Sequence, residues 1–367
     1  MKQIKAAVLE AYDTPFVLHD VEIDEPRDHE VLVKIVASGV CHTDGLAQHA
    51  DLPFPPPGVL GHEGSGIVEA IGAKVTSVEV GDHVIIGWPW CGECEACLTG
   101  NPRYCALIGR LLAGGNRLDG SSAFRRDGGP LNSHFFGVSS FATYSITNES
   151  SLVNVEKSLP IEKLGPLACG IATGAGAVFN AAQPKIGDSL VVYGTGSVGL
   201  AAIMAAKNTG ATKIIAVDLH DSRLEMARSL GATHTVNAKN DDPVSAIHDI
   251  CGGPATFALE CTGIIAVCRQ AIDSVGMMGT AILIGGAPAG AEFSADHLTT
   301  LWGKTIKGIL GGEGTSKRLM TGLLDLYQQG RFPFDRLITE FPFDQVNEAL
   351  AASYAGDVLK PLLIMPK

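Results

Sequence analysis

Four consecutive residues, Cys41-His42-Thr43-Asp44, follow an apolar, strand-like run at 31–36 and place a sulfur, an imidazole, a hydroxyl and a carboxylate at one strand end. A cysteine after a strand is by itself more often a small buried hydrophobe than a ligand, so the chemistry needs partners. His62, in Gly61-His62-Glu63, and Cys169 are available. With Cys41 they could form a three-ligand zinc site with its fourth position open, the arrangement a catalytic zinc needs so that a substrate oxygen can bind. Spacing does not join them, because the three lie far apart in the chain, and His62 or Cys169 taken singly would more often be structural.

Two further patterns carry chemistry of their own. Cys91, Cys94, Cys97 and Cys105 form C-x2-C-x2-C-x7-C, tight enough to set four thiolates around one tetrahedral ion with no room for a fifth ligand. Gly92, Glu93 and Glu95 between them fill no core, so this is read as a structural zinc lobe that stabilises its loop and performs no reaction. Further on, Val191-Val192-Tyr193 runs into Gly194-Thr195-Gly196-Ser197-Val198-Gly199, a G-x-G-x-x-G where a strand gives way to a helix. In that context backbone can approach a pyrophosphate at the helix N-terminus. The next strand, 214–217, ends in Asp218, an acid placed to hold both ribose hydroxyls of NAD and to repel the 2′-phosphate of NADP. Arg223 could lie along the same ribose.

Two kinds of architecture must position these groups. Residues 4–36 alternate or run apolar with many β-branched positions, and glycines at 61–84 sit where a compact barrel of strands needs corners. The first part is therefore read as an all-β, partly closed unit. Leu52-Pro53-Phe54-Pro55-Pro56-Pro57-Gly58 is read as a stiff extended loop that delivers His62 and Glu63, 111–140 as a long loop, and 160–180 as a helix at the domain crossing. From 189 short β-branched runs alternate with helical ones, the pattern of a doubly wound parallel sheet covered by helices. After 308 a helix, a short strand, a last helix and the strand 361–364 return the chain to the first domain. The expected fold is thus α/β, with a catalytic domain at 1–172 and 312–367 and an NAD-binding Rossmann domain at 173–311.

The chain has 367 residues, 46% of them hydrophobic, enough for two cores, and a formal net charge of -12 that argues against nucleic acid or an anionic membrane as partner. Acidic Glu10, Asp13 and Asp20 interrupt any export signal, so a cytoplasmic protein is expected, and its nine cysteines are read as ligands or buried thiols rather than disulfides. The longest apolar run, 189–206, contains Gly194, Gly196 and Gly199 and belongs to the Rossmann unit rather than to a membrane span.

The Cys41 tetrad, Gly61-His62-Glu63, the four-cysteine lobe, Cys169 and Gly194 to Gly199 occur in the order and at about the intervals of the zinc-dependent medium-chain alcohol dehydrogenases, and the chain resembles that family over essentially its whole length. The likeness implies a GroES-like, partly closed barrel for the catalytic domain and two zinc ions per chain. Cys41, His62 and Cys169 would bind the catalytic zinc, Asp44 would accept the second ring N–H of His62, and Glu63 would lie behind the metal. Thr43 would take the alcohol proton. Thr173 and Val198 would press the nicotinamide from behind, its amide would bond backbone near Ile284 and Gly286, and His42 would face the pyrophosphate.

Within the family the sequence looks most like the aryl-alcohol (benzyl-alcohol) dehydrogenases, judged by 136–142, by Leu164-Gly165-Pro166-Leu167 with Cys169-Gly170 and Thr173-Gly174-Ala175-Gly176, and by 330–335. One departure concerns the proton path. Relatives carry a His five residues after the ligand Cys, and here that position is Leu46, so the relay is shortened or passes through His49 or water.

Apolar Leu46, Leu52, Phe54 and Trp88, with Trp90, lie within loop reach of the zinc and suit an aromatic or allylic primary alcohol better than a polyol. The tryptophans are equally consistent with packing the lobe. Rival readings are a dehydrogenase of aliphatic or terpenoid alcohols such as geraniol, one of the formaldehyde–glutathione adduct, and a non-catalytic NAD-binding structural or regulatory protein. The presence of all three ligands with Glu63 and Thr43 favours an enzyme. The expected partners are a small alcohol or aldehyde and a second copy of the chain, as homodimer or homotetramer, through a strand-like run after Gly286.

Overall fold

The computed structural model describes residues 1–366, and the chain separates into two compact units, Met1–Cys169 with Thr315–Gly322 and Asp335–Lys367, and Gly170–Gly314 with Leu323–Phe334. The division falls at 169/170 and 314/315, where 172/173 and 311/312 were expected. The stretch Leu323–Phe334, expected in the first domain, groups with the second unit. Its Arg331 carbonyl accepts from Asn208 (3.1 Å) and its guanidinium donates back to the Asn208 side chain (3.0 Å), a reciprocal clamp that composition does not announce.

The first unit is mainly β. A five-stranded sheet runs Gly58–Val59, Lys2–Leu9, Phe16–Ile23, Phe124–Arg126, Gly129–Leu131. A seven-stranded sheet runs Leu152–Val155, His83–Ile86, Glu63–Ile71, Glu30–Gly39, Lys360–Ile364, Ile338–Pro342, with Tyr144–Asn148 also paired to Glu30–Gly39. The alternating apolar residues of Glu30–Gly39 supply the core, Val31 and Val33 being fully buried, and the strand pairs with Glu63–Ile71 through two register shifts. Such irregularities bend a strand and increase its twist. The returning strand Lys360–Ile364 pairs antiparallel with the end of Glu30–Gly39, Leu362 opposite Gly39, so the chain terminus closes over the strand that delivers Cys41.

Two expectations, one for this unit and one for the stretch that crosses into the second, need correction. Residues 111–140 are not one loop: they include the end of helix Ile108–Ala113, a hairpin made by Phe124–Arg126 and Gly129–Leu131, and a 3-10 turn at Phe135–Gly137. The strands are three residues each and bracket Asp127-Gly128, too short for periodicity to reveal. Residues 160–180 are not one helix. Pro160, Gly165 and Pro166 restrict them to two 3-10 turns, Ile161–Lys163 and Gly165–Ala168, before the helix Gly170–Gly176 and a π-helical segment Ala177–Ala182.

The second unit carries the parallel sheet that the β/helix alternation indicates, ordered His234–Asn237, Lys213–Asp218, Ser189–Tyr193, Ala255–Glu260, Val275–Leu283, Thr305–Gly308. Its core gathers Val191, Ile215, Val217, Ala258, Ile272 and Ala281. The apolar run 189–206 is the first strand of this sheet plus helix Ser197–Ala206, both almost wholly buried. Gly199 lets that helix approach the strand end, since a Cβ there would stand 1.9 Å from the Gly194 carbonyl oxygen. No helix among the described residues is long and apolar enough to cross a membrane. The strand expected after Gly286 forms only at Thr305–Gly308; residues 285–296 contain no strand or helix.

Candidate active site

Strand Glu30–Gly39 ends directly before helix His42–Gln48, so Cys41 occupies the helix N-cap and Asp44 its first turn. Asp44 is fully buried. Its carboxylate accepts the Cys41 amide at 2.9 Å and the Gly61 amide at 3.1 Å, and stands 3.1 Å from Nδ1 of His62. One side chain thereby ties the Cys41 turn to the His62 turn. With its oxygens accepting two backbone amides, Asp44 faces Nδ1 of His62 as an acceptor, so Nδ1 is assigned the proton and Nε2 is the ring nitrogen turned away from Asp44. Nε2 is buried with no hydrogen-bond partner among the described residues.

Around that orphaned nitrogen, the ligand atoms of Cys41, His62, Glu63 and Cys169 all lie within 4.8 Å of one another. Two sulfurs, one imidazole nitrogen and an adjacent carboxylate are the donor set of a zinc site that keeps a position for substrate. The hydrogen bond between the sulfurs drives Cys41 well below the usual thiol range and Cys169 well above it. The pair therefore shares one proton, which a dication would displace. Burial works against a charged His62, but Asp44 and then Cys41 outweigh it and raise the imidazole to about 10. A ring that holds a proton so firmly is a strong donor to a cation that takes the proton's place. Thr43 Oγ1 lies 3.6 Å from the Cys41 sulfur.

Glu63 is fully buried, and Lys360 donates to it at 2.6 Å and to the Val40 carbonyl at 3.1 Å. Burial pushes Glu63 up to about 7 against the pull of Lys360; Lys360 is itself held above its ordinary value by Glu63 although burial opposes its charge. The contact is an ion pair, because a neutral Glu63 would strand a buried ammonium. Gly39 makes room for it: a Cβ there would fall 2.0 Å from Glu63 Oε2.

Aromatic rings enclose His62. Phe136 stacks on it with centroids 4.4 Å apart and planes at 28°, and Phe135 meets it edge-on at 5.5 Å. Trp88 packs edge-on to Phe136 at 5.0 Å and Phe54 edge-on to Phe135 at 5.2 Å. Trp88 and Phe54 thus reach the cluster through two phenylalanines that reading the sequence did not single out as site residues. Their aim depends on left-handed backbone at His134 (φ 61) and Phe136 (φ 53). Leu46 and Leu52 are half-buried and joined by a Leu52 amide to Leu46 carbonyl bond of 3.0 Å. His42 is exposed beside Tyr354, and His49 pairs with Asp13 at 2.6 Å.

The four-cysteine lobe is a separate cluster whose sulfurs also lie within 4.8 Å of one another, at 3.4 Å for Cys94 to Cys97 and 3.8 Å for Cys91 to Cys97. Zinc–sulfur bonds of about 2.3 Å at tetrahedral angles put sulfurs about 3.8 Å apart. Four backbone amides, those of Cys91, Cys94, Ala106 and Leu107, each point at a sulfur at 3.4 Å. These donors favour thiolates, so the lobe is arranged around negative sulfurs that need a cation.

In the second unit Asp218 is fixed at its strand end. Burial opposes its charge, but bonds from Thr195 and from the backbone of Leu219 and His220 hold it below the usual carboxylate range. The Thr195 amide and hydroxyl donate at 2.8 and 2.7 Å. A cavity of about 440 Å³ lies beside it, lined by Gly194, Gly196, Asp218, Arg223 and Thr262 among others. A Cβ at Gly196 would meet nothing within 4 Å, so this glycine faces open space into which a cofactor backbone fits. Thr173 and Val198 belong to helices that meet where Gly174 lies against the Val198 carbonyl. The Ile284 amide donates to the Glu260 backbone carbonyl at 2.9 Å, and Gly286 lies against Gly263. Buried Glu260, which caps the Thr262 and Gly263 amides, had no signal in the sequence beyond its place at a strand end.

Residues 27–157 match the alcohol dehydrogenase GroES-like domain and residues 197–329 the zinc-binding dehydrogenase domain. The chain is 40% identical to geraniol dehydrogenase of Castellaniella defragrans, over 98% of this chain and 97% of that one. It is 35% identical to S-(hydroxymethyl)glutathione dehydrogenase of Paracoccus denitrificans, over 99% and 100%. The crystal structure of benzyl alcohol dehydrogenase from Acinetobacter calcoaceticus superposes with a TM-score of 0.97 over the whole of both chains at 46% identity.

Proposed function

Because the chain belongs to the zinc-dependent medium-chain alcohol dehydrogenases, we propose that it oxidises aromatic or allylic primary alcohols reversibly to aldehydes, passing hydride to NAD. The observation that carries the substrate class is the ring cluster of Phe136, Phe135, Trp88 and Phe54 around His62, whose predominantly apolar surface suits an aromatic or allylic alcohol better than a polyol. Likeness to a benzyl alcohol and a geraniol dehydrogenase supports the same class.

Cys41, His62 and Cys169 would hold the catalytic zinc, and Cys91, Cys94, Cys97 and Cys105 would hold a structural one. When bound, the catalytic zinc supplies the Lewis acidity that makes an alcohol proton labile near neutral pH. NAD supplies the hydride acceptor. Asp44 fixes the ring of His62, and Lys360 fixes Glu63 beside the ligands. The Thr43 hydroxyl takes the alcohol proton. Leu46 offers no group to pass it on, so water carries it away.

For the cofactor, Gly194, Gly196 and Gly199 admit the pyrophosphate, with His42 facing it. Asp218 takes the ribose hydroxyls beside Arg223, and its fixed negative charge favours NAD over NADP. Thr173 and Val198 would back the nicotinamide, and backbone near Ile284 and Gly286 would bond its amide. Exposed Met277, Met278, Leu298, Leu301 and Trp302, near the edge strand Thr305–Gly308, support association of two or four copies.

A panel of benzyl alcohol, geraniol, hexanol and S-(hydroxymethyl)glutathione, each with NAD and NADP, tests the reading. The highest kcat/KM is expected with benzyl alcohol or geraniol and NAD; preference for hexanol, for the glutathione adduct or for NADP would overturn it.

A further inference from the structure

Arg103 lies on the turn Pro102–Tyr104 inside the four-cysteine lobe, with 2% of its surface exposed. Its guanidinium sits 4.9 Å over the Trp88 ring and donates from Nη2 to Ser316 Oγ at 2.9 Å. Nε has no hydrogen-bond partner, and no carboxylate lies within ion-pair distance, among the described residues. Buried cations are ordinarily paired, and among the described residues no carboxylate pairs with this one and its Nε has no acceptor.

A cavity of about 230 Å³ adjoins it, lined by Trp88, Trp90, Arg103, Thr315, Ser316 and Lys317 among others. At roughly 30 Å³ per water, the space holds a small ion with several waters. Its wall includes the start of helix Ser316–Gln328, 13 residues long with no acidic residue in its first turn. Free amides and the positive end of the helix dipole favour an anion there. No acidic side chain lines the cavity among the described residues. Arg103, Lys317, Ser316 and a helix N-terminus therefore line one cavity with no acidic side chain among its described lining residues.

We propose that this cavity binds a tetrahedral oxyanion, either free phosphate or the terminal phosphate of a small metabolite. The site shares Trp88 with the ring cluster around His62 but takes a different ligand through Arg103, Ser316 and Lys317, and so goes beyond the reading above.

The test is calorimetric titration of inorganic phosphate into the zinc-loaded enzyme, saturated with NADH so that the cofactor's own phosphate site is filled, at ionic strength held constant with chloride. One saturable site per chain is expected, lost in Arg103→Met and weakened about tenfold in Lys317→Met, as for loss of one charge-assisted bond. Should Arg103→Met fail to keep both zincs, Lys317→Glu, at an exposed position, decides: phosphate binding must vanish with zinc content and melting temperature unchanged. No saturable heat, or binding undiminished in Lys317→Glu, overturns the proposal. Glycerol phosphate tighter than phosphate assigns the site to a phosphorylated metabolite, and equal affinity assigns it to the free ion. Binding of acetate but not phosphate contradicts it.

Discussion

In the four-cysteine lobe every ligand comes from residues 91–105, and the sulfurs take their hydrogen bonds from backbone amides of that same stretch or the two residues after it. Cys41, His62 and Cys169 come instead from a helix N-cap, the turn after a proline-rich loop and the end of a 3-10 turn. They are held by side chains remote in sequence: Asp44 for His62 and Lys360 for Glu63. The lobe's amides reach the sulfurs of Cys91, Cys94 and Cys105, and all four sulfurs are grouped closely enough for one ion. The other cluster leaves an orphaned imidazole nitrogen and shares one proton between two sulfurs. Similar donors thus give a closed site where the scaffold is local and an open one where it is assembled from afar. Locality serves stability, and assembly allows a position to be reserved for substrate.

This contrast predicts that damage to the lobe is felt in folding and damage to the other cluster in chemistry. The largest stability loss is expected for Cys97→Ser, on the order of 5 kcal/mol, because structural zinc contributes folding energy directly; urea unfolding and zinc content check it, and an unchanged midpoint would erase the distinction. Lys360→Met sharpens the comparison from the other side. It takes the Lys360 ammonium away from buried Glu63 and should cost about 3–5 kcal/mol, with Lys360→Met/Glu63→Gln recovering most of the loss by the same assay.

His134 lines a cavity with Cys91 of the lobe, and burial, then Arg117, lowers its imidazole to about 4. Between pH 6.5 and 4 the unfolded chain takes up a proton that the folded chain refuses, so stability is present above that window and lost as pH falls through it. The loss attributable to this ring is at most about 3 kcal/mol, since the ring is only partly buried. His134→Asn, which tolerates the left-handed backbone, should flatten that segment of the stability–pH curve and leave pH 8 unchanged. Asp44→Asn is the mildest change. It should keep the fold but lower zinc affinity at the open cluster or kcat/KM by about 10- to 100-fold, leaving the lobe's zinc in place.

Legibility in the sequence followed the same division. The lobe could be read because its ligands are neighbours, and the glycine turn because strand, glycines and helix are contiguous. Cys41 announced a ligand only through its crowded tetrad, and nothing local linked it to His62 or Cys169; the family resemblance supplied that link. Phe135 and Phe136 escaped because their direction depends on left-handed backbone within a glycine-rich stretch. Lys360 escaped because a lysine before a proline in a terminal strand reads as surface, and only the pairing of that strand with Glu30–Gly39 buries it. The short hairpin at 124–131 escaped because three residues cannot show a period.

The central claim is that Cys41, His62 and Cys169 hold a zinc that works on alcohols while the lobe holds one that does not. The direct measurement is zinc per chain together with benzyl-alcohol-dependent NADH formation for the parent protein and Cys169→Ser. The expected result is two zincs falling to one, activity falling by at least about 10³-fold, and a far-UV spectrum like the parent's. Two zincs and undiminished NADH formation in Cys169→Ser would contradict the account.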